Sequence, residues 1–167
     1  MIERQQKILQ LLDVSGPRLH RLLARLTRRE DIVGDLLQEL FLRLWNSKAF
    51  DKAEDPFAYA CRSAINLAFE WRRRQKITSQ PLEGNCSLVE DNSSALGKMV
   101  QAEQLEQVLD ATCKLTDLAR DVVVMRYIEQ VSYEEIAERL GKKPQYMRSV
   151  CAKALAQLRE MLTQEKV

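Results

Sequence analysis

The sequence predicts an all-α protein made of two small helical domains joined by a flexible linker. Three observations predict it. Glycine (5) and proline (4) are scarce in 167 residues and aromatics reach only 6%, which disfavours turn-rich sandwiches and barrels. Apolar residues recur at helical spacing, and no segment alternates convincingly as a strand. Charge is segregated along the chain. Residues 1–76 carry 15 Lys and Arg against 10 Asp and Glu; residues 77–113 carry 1 against 6; residues 114–167 carry 10 against 8.

The first helices follow from the leucines. Ile8, Leu11 and Leu12, then Leu19, Leu22, Leu23 and Leu26 fall at helical spacing, and Ser15-Gly16-Pro17 between them predicts a break into two helices. A third helix is expected from about Glu30 to Trp45, with Val33, Leu36, Leu37, Leu40, Phe41 and Leu44 as its buried stripe. Asp55-Pro56, a cap followed by a helix-initiating proline, opens a fourth. Its inward residues, Phe57, Ala60, Cys61, Ala64, Ala68 and Trp71, include small ones that permit close packing.

The middle of the chain changes character. ITSQPLEGNCSLVEDNSSALG lacks a sustained helical period and gathers Ser, Asn, Gly, Pro and acids, so residues 77–101 are read as an acidic linker between domains at 1–76 and 102–167. Beyond it, helices are expected near Gln101–Cys113, Asp117–Ile128, Ser132–Leu140 and Pro144–Leu162. Ser132 and Glu135 stand at capping-box spacing.

Several function classes have little to stand on. The four cysteines lie 25 or more positions apart and the only histidine is His20, so no zinc spacing, no metal site and no catalytic nucleophile–base set is read, and no cofactor is expected. Mean hydropathy is -0.34, with no apolar run near the ~18–20 residues of a membrane span, and the opening MIERQQKILQ shows no signal-peptide core. A soluble, cytoplasmic chain without membrane insertion, its thiols reduced, is the expectation.

The sharpest signal is SYEEIAERLGKKPQYMRSVCAKALAQLR, which meets the steric demands of a helix-turn-helix. Ala137 is small where two helices cross, Gly141 sits where the turn needs a left-handed backbone, and Met147 and Val150 return to the core. Lys143, Gln145, Arg148 and Ser149, with Ala152 and Lys153 one turn further, are then left facing outward. Gln and Arg can make paired hydrogen bonds to base edges, while Lys and Ser hold phosphates. A solvated helical hairpin presents the same polar face.

Two weaker signals lie in the first domain. On the fourth helix Arg62, Asn66 and Arg73 share one stripe that ends in Arg72-Arg73-Arg74. The helix dipole accounts for terminal arginines, but not for Asn66, a poor helix former whose amide can hold a base. Phe50 and Phe69 are candidate stacking rings for unpaired bases, and equally candidate core residues. On the third helix Asp35, Gln38, Glu39 and Leu42 lie opposite the buried stripe. This acidic face on a basic domain suits a protein partner or, with Glu39 and Arg43 paired four apart, plain solvation.

GDLLQELFLRLW, DPFAYACRSAINLAFEWRRR and, after the linker, LTDLARDVVVMRYIEQVSYEEIAERLG together resemble the extracytoplasmic-function (ECF) sigma factors of bacterial RNA polymerase. The likeness covers nearly the whole chain outside the linker, and its specificity lies in the order of the blocks. The resemblance implies a dissociable subunit that binds core RNA polymerase and directs promoter recognition and opening. It implies that Asp35, Gln38, Glu39, Phe41 and Trp45 dock the polymerase. Phe50, Arg62, Asn66, Arg72, Arg73 and Arg74 would contact the minus-ten element of promoter DNA, and Lys143, Gln145, Arg148, Ser149 and Lys153 would read the minus-thirty-five element. It further implies an anti-sigma factor as partner, often membrane-bound in this family. The chain departs from the family at Val150, where Arg is common, at Lys142, where an apolar residue is common, and at Glu70, where Asp is common.

Geometry sets what such a subunit must do. Two turns of B-DNA span ~70 Å, more than either small domain can cover, so two elements are read only if the domains are held apart. A 25-residue tether reaches about 80 Å when stretched at ~3.3 Å per residue and averages near ~28 Å when relaxed. The competing reading is a stand-alone helix-turn-helix regulator whose first domain dimerises or senses a ligand.

Overall fold

The computed structural model describes residues 1–78 and 95–165, and every regular element among them is helical. The first lobe consists of α1 (Ile2–Thr27), a single 3-10 turn (Glu30–Ile32), α2 (Val33–Asn46), α3 (Lys48–Asp51) and α4 (Pro56–Thr78). The second consists of α5 (Ala95–Thr112), α6 (Asp117–Tyr127), α7 (Tyr133–Leu140) and α8 (Pro144–Gln164).

The break expected at Ser15-Gly16-Pro17 does not occur: α1 runs through it with Pro17 inside the helix. The reason is the phase of the buried stripe. Ile8, Leu11, Ser15, Leu19, Leu22 and Leu26 are all buried and step by three or four across the proline without a slip. An interior proline costs about 3 kcal/mol. Breaking the helix there would expose Ile8 and Leu11, whose burial is worth ~1.5–3 kcal/mol each, so packing outweighs the missing hydrogen bond. The helix stops at Arg28, which adopts a left-handed conformation (φ 58°) and donates its N–H to the Ala24 carbonyl.

α1 and α2 both pack on α4. The close approach comes from small residues: Ala60, Cys61, Ala64 and Ala68 are all buried at 1% exposure or less. Asp55 caps α4 as its sequence predicts, its Oδ1 accepting the Ala58 N–H at 2.9 Å. Phe57 and Trp71, expected to face inward, are only half-buried at the edge of this core.

In the second lobe α6 and α7 pack on α8, and α5 covers its other side. Ser132 caps α7 by accepting the Glu135 N–H at 3.2 Å. The other half of the capping box is not made, because the Glu135 carboxylate turns to Arg139 at 2.6 Å. At the far end Gly141 takes φ 64°, and the Lys142 N–H closes back on the Ala137 carbonyl at 2.9 Å.

The segment expected to be linker, 77–101, is helical at both ends. α4 continues through Thr78, and α5 begins at Ala95, where Ala, Leu, Lys, Met and Gln are good helix formers whatever their hydrophobic period. Residues 79–94, including Cys86, lie outside the described residues. The two lobes meet directly: α4 packs against α6, and one hydrophobic cluster runs from Ile8 to Leu158 through both. Among the described residues no helix is long and apolar enough to cross a membrane.

Candidate nucleic-acid interface

α8 is set by the turn before it. The left-handed Gly141 reverses the chain, Pro144 starts the new helix, and Met147, Cys151, Ala154 and Leu158 anchor one side in the core. The opposite side follows by periodicity. Lys143, Gln145, Arg148, Ser149, Ala152 and Lys153 are all exposed, as the sequence predicts, and Val150 is half-buried against the core. The face is held partly in place by α7: Arg148 Nη2 donates to Glu134 Oε1 at 2.5 Å, and its guanidinium lies 5.4 Å from the centre of the Tyr133 ring. A backbone hydrogen bond first, and Arg148 second, hold the Glu134 carboxyl below its ordinary pKa.

Sequence reasoning passes over one residue here. Tyr146, 49% exposed in the first turn of α8, stands beside Gln145 on the same open surface. Its position next to the core residue Met147, two residues after the proline, is the only hint the sequence carries.

The α4 stripe is arranged differently. Asn66 and Arg62 are exposed residues whose polar atoms also meet the second lobe. Arg120 of α6 donates to Asn66 Oδ1, and Arg62 Nε lies 3.7 Å from Asp121 Oδ2. Arg73 donates to the Cys113 carbonyl at 3.0 Å. Arg74 is 64% exposed near Glu70.

Two residues expected at the minus-ten contact are buried. Arg72 is 5% exposed; it donates to the Leu26 carbonyl at 3.2 Å and pairs with Glu106 (2.6 Å) and Asp110 (2.9 Å) on α5. Burial works against its charge and the two carboxylates more than restore it, so its pKa rises. Phe50 is 0% exposed, tilted against Tyr59 at 5.8 Å between ring centres, with Lys7 over its face. It is a core ring and presents no stacking surface. Phe69, also fully buried, packs under Arg120 at 5.3 Å.

On α2, Asp35, Gln38 and Leu42 are exposed and Trp45 is 38% exposed, whereas Glu39 and Phe41 are half-buried. Arg43 bridges this face to α4, donating to Glu39 (2.6 Å) and Glu70 (2.8 Å); that pairing holds the Glu70 carboxyl below its usual range. His20 is an exposed residue of α1. Cys61 is buried, and burial pushes its thiol far up, as it does more mildly for Cys113.

A helical chain that ends in a helix-turn-helix with an exposed polar second helix defines a class of nucleic-acid-reading protein. Comparison with known proteins narrows the class. A family profile described as "Sigma-70 region 2" matches residues 11–77, and one described as "Sigma-70, region 4" matches residues 105–158. The chain is 36% identical over 132 residues to the RNA polymerase sigma-E factor of Streptomyces antibioticus, covering 77% of this chain and 69% of that one. It is 25% identical over 164 residues to the ECF RNA polymerase sigma factor SigX of Bacillus subtilis, covering 93% and 84%. In fold it is similar to the sigma factor RpoE of Bartonella quintana, solved with the anti-sigma factor NepR, at a TM-score of 0.50 and 18% identity over 93% of this chain and 96% of that one.

The chain therefore belongs to the sigma-70 family, among its ECF sigma factors. Proteins of this family are transcription initiation factors that recognise promoters for RNA polymerase, so the reading as a stand-alone regulator is set aside.

Proposed function

We propose that this sigma factor acts through three surfaces assigned to named residues. Asp35, Gln38, Glu39, Phe41 and Trp45 of α2 dock core RNA polymerase; Arg62, Asn66, Arg73 and Arg74 of α4 hold the unpaired strand of the minus-ten element; and Lys143, Gln145, Arg148, Ser149 and Lys153 of α8, with Tyr146 beside them, enter the major groove of the minus-thirty-five element. In this division residues 1–76 serve the first two tasks and 102–167 the third. The observation that carries the reading is the exposed polar face of α8 behind the left-handed Gly141, backed by an unbroken buried stripe.

The chain does no bond chemistry in this scheme and works in the cytoplasm. α4 traps an unstacked base and so offsets the few kcal/mol that opening each step costs. An anti-sigma factor as a further partner is supported by the fold shared with RpoE, which is bound by NepR. The test is reconstituted transcription of a genomic DNA library by core polymerase with and without the chain. Initiation at a defined set of promoters only when the chain is added is the expected result; active core enzyme that gains no promoter overturns the reading.

A further inference from the structure

Arg148 of α8, an exposed arginine on the polar face, is held by two consecutive residues of α7. Its Nη2 donates to Glu134 Oε1 at 2.5 Å, and its guanidinium lies 5.4 Å from the centre of the Tyr133 ring. A second guanidinium, that of Arg126 on α6, lies 4.8 Å from the same ring centre and donates to the Val131 carbonyl at 3.3 Å. Tyr133 is fixed from the core side. It is half-buried, and its hydroxyl lies beside the buried Cys151 thiol, a contact that first, with burial second, pushes the hydroxyl pKa up. Arg148 and Cys151 are three residues apart on α8, so they stand on one side of the helix, and the ring spans the turn between them.

Stability does not explain this holder. The Arg148 and Glu134 side chains are 51% and 63% exposed, and exposed ion pairs add little. Bringing two arginines to one ring also sets like charges side by side. What the arrangement supplies is orientation. A long side chain that must be frozen on its target weakens binding, and one fixed beforehand does not. With Nη2 on Glu134, the Nε and Nη1 donors of Arg148 meet no acceptor among the described residues.

We infer that Tyr133 and Glu134 are positioning residues for Arg148: together they fix its fork before DNA arrives, and the strength of its base preference depends on them. A planar fork with paired N–H donors matches the O6 and N7 acceptors of guanine, which is the base class this geometry suits. The inference rests on the assignment of α8 to the major groove and adds two residues that act without touching a base.

The test has two readouts on the full chain. In the free chain, the heteronuclear NOE of the Arg148 Nε–H, assigned by its loss in Arg148→Lys, reports whether the fork is ordered. In the chain bound to core polymerase, competition binding to a promoter recovered from the genomic library, with each base substituted in turn along its upstream element, reports base preference. The position levelled by Arg148→Ala is the one that Arg148 reads. Tyr133→Leu and Glu134→Ala are expected to release the fork and to cut the preference at that position about three- to tenfold, with the other positions unchanged. Tyr133→Phe, which keeps the ring, is expected to keep both the order and the preference. Glu138→Ala removes an acid from an exposed site on the same helix and supplies the same charge change away from Arg148. A fork already mobile in the wild type, a preference lost at every position alike, as a loosened fold produces, or a Glu134→Ala effect no larger than that of Glu138→Ala overturns the inference. A fork ordered in the wild type and released in both variants, in a chain where Arg148→Ala levels no position, leaves the positioning standing and strikes the assignment of Arg148 to a base instead.

Discussion

The α4 stripe and the α8 face carry the same kinds of residue, arginine with an amide or hydroxyl at helical spacing, yet the fold treats them oppositely. On α8 those residues are exposed, and the ion pair of Arg148 with Glu134 is a surface contact within its own lobe. On α4 the amide of Asn66 and the guanidiniums of Arg62, Arg72 and Arg73 meet partners on α5, on α6 and in the turn between them. A polar stripe shows which side of a helix its own lobe leaves uncovered. It does not show whether another part of the chain covers that side.

The comparison breaks most completely if the platform under α8 is removed. Met147 is 0% exposed at the point where α8 meets the core, and Met147→Ala is expected to cost about 2–5 kcal/mol in urea unfolding. If the lobes are one closed unit, α4 loses protection with α8; hydrogen exchange showing α8 opening alone would mean that the shared cluster does not couple them.

Next in size is a pair of substitutions read side by side. Arg148→Ala is expected to lose about 1–3 kcal/mol of discrimination between promoter and mutated upstream sequence, in binding by the polymerase-bound chain. Asn66→Ala is expected to slow promoter opening, followed by permanganate reactivity, while core binding measured by anisotropy stays unchanged. If the two changes produce the same defect, the two faces do not have separate tasks.

A smaller effect is expected at the turn. Gly141 has φ 64° with open space around the position of an added Cβ, so Gly141→Ala introduces backbone strain without a clash. The left-handed conformation costs a non-glycine residue about 1–2 kcal/mol, to be read in the thermal midpoint. A loss well beyond that would place a second role on the glycine.

Much of this was legible in the sequence because local physics decided it. The cap at Asp55, the cap at Ser132, the left-handed turn at Gly141 and the outward face of α8 each follow from a residue's own backbone and hydrogen-bonding preferences. What was not legible required tertiary packing. Pro17 signals a break unless the stripe on both sides lands on the same neighbouring helices. Phe50 looks the same in sequence whether it stacks on a base or on Tyr59. Arg72 and Arg73 are adjacent arginines in a basic run, and only the arrival of Glu106 and Asp110 from 34 and 38 residues away decides which is buried. The charge segregation, +5 against -5, was the one trace of that meeting in the sequence.

The finest test sets the acid partner of α4 against the acid partner of α8. Burial pushes the Asp121 carboxyl above its ordinary 3.8, with Arg120 and Arg62 opposing, whereas the Glu134 carboxyl is held below its ordinary 4.5 by a backbone hydrogen bond and Arg148. The signs then differ. Between 3.8 and its raised folded value Asp121 binds its proton more readily in the folded chain, so its contribution to stability grows as pH falls through that window. The Glu134 contribution is present above 4.5 and is lost as pH falls through its depressed folded value. A carboxyl-carbon NMR titration is expected to place the Asp121 midpoint above 3.8 and the Glu134 midpoint below 4.5. Asp121→Asn should remove the first trend in the pH dependence of stability and leave the second, and an Asp121 midpoint at or below 3.8 would mean that the carboxyl is not held in a buried contact between the lobes.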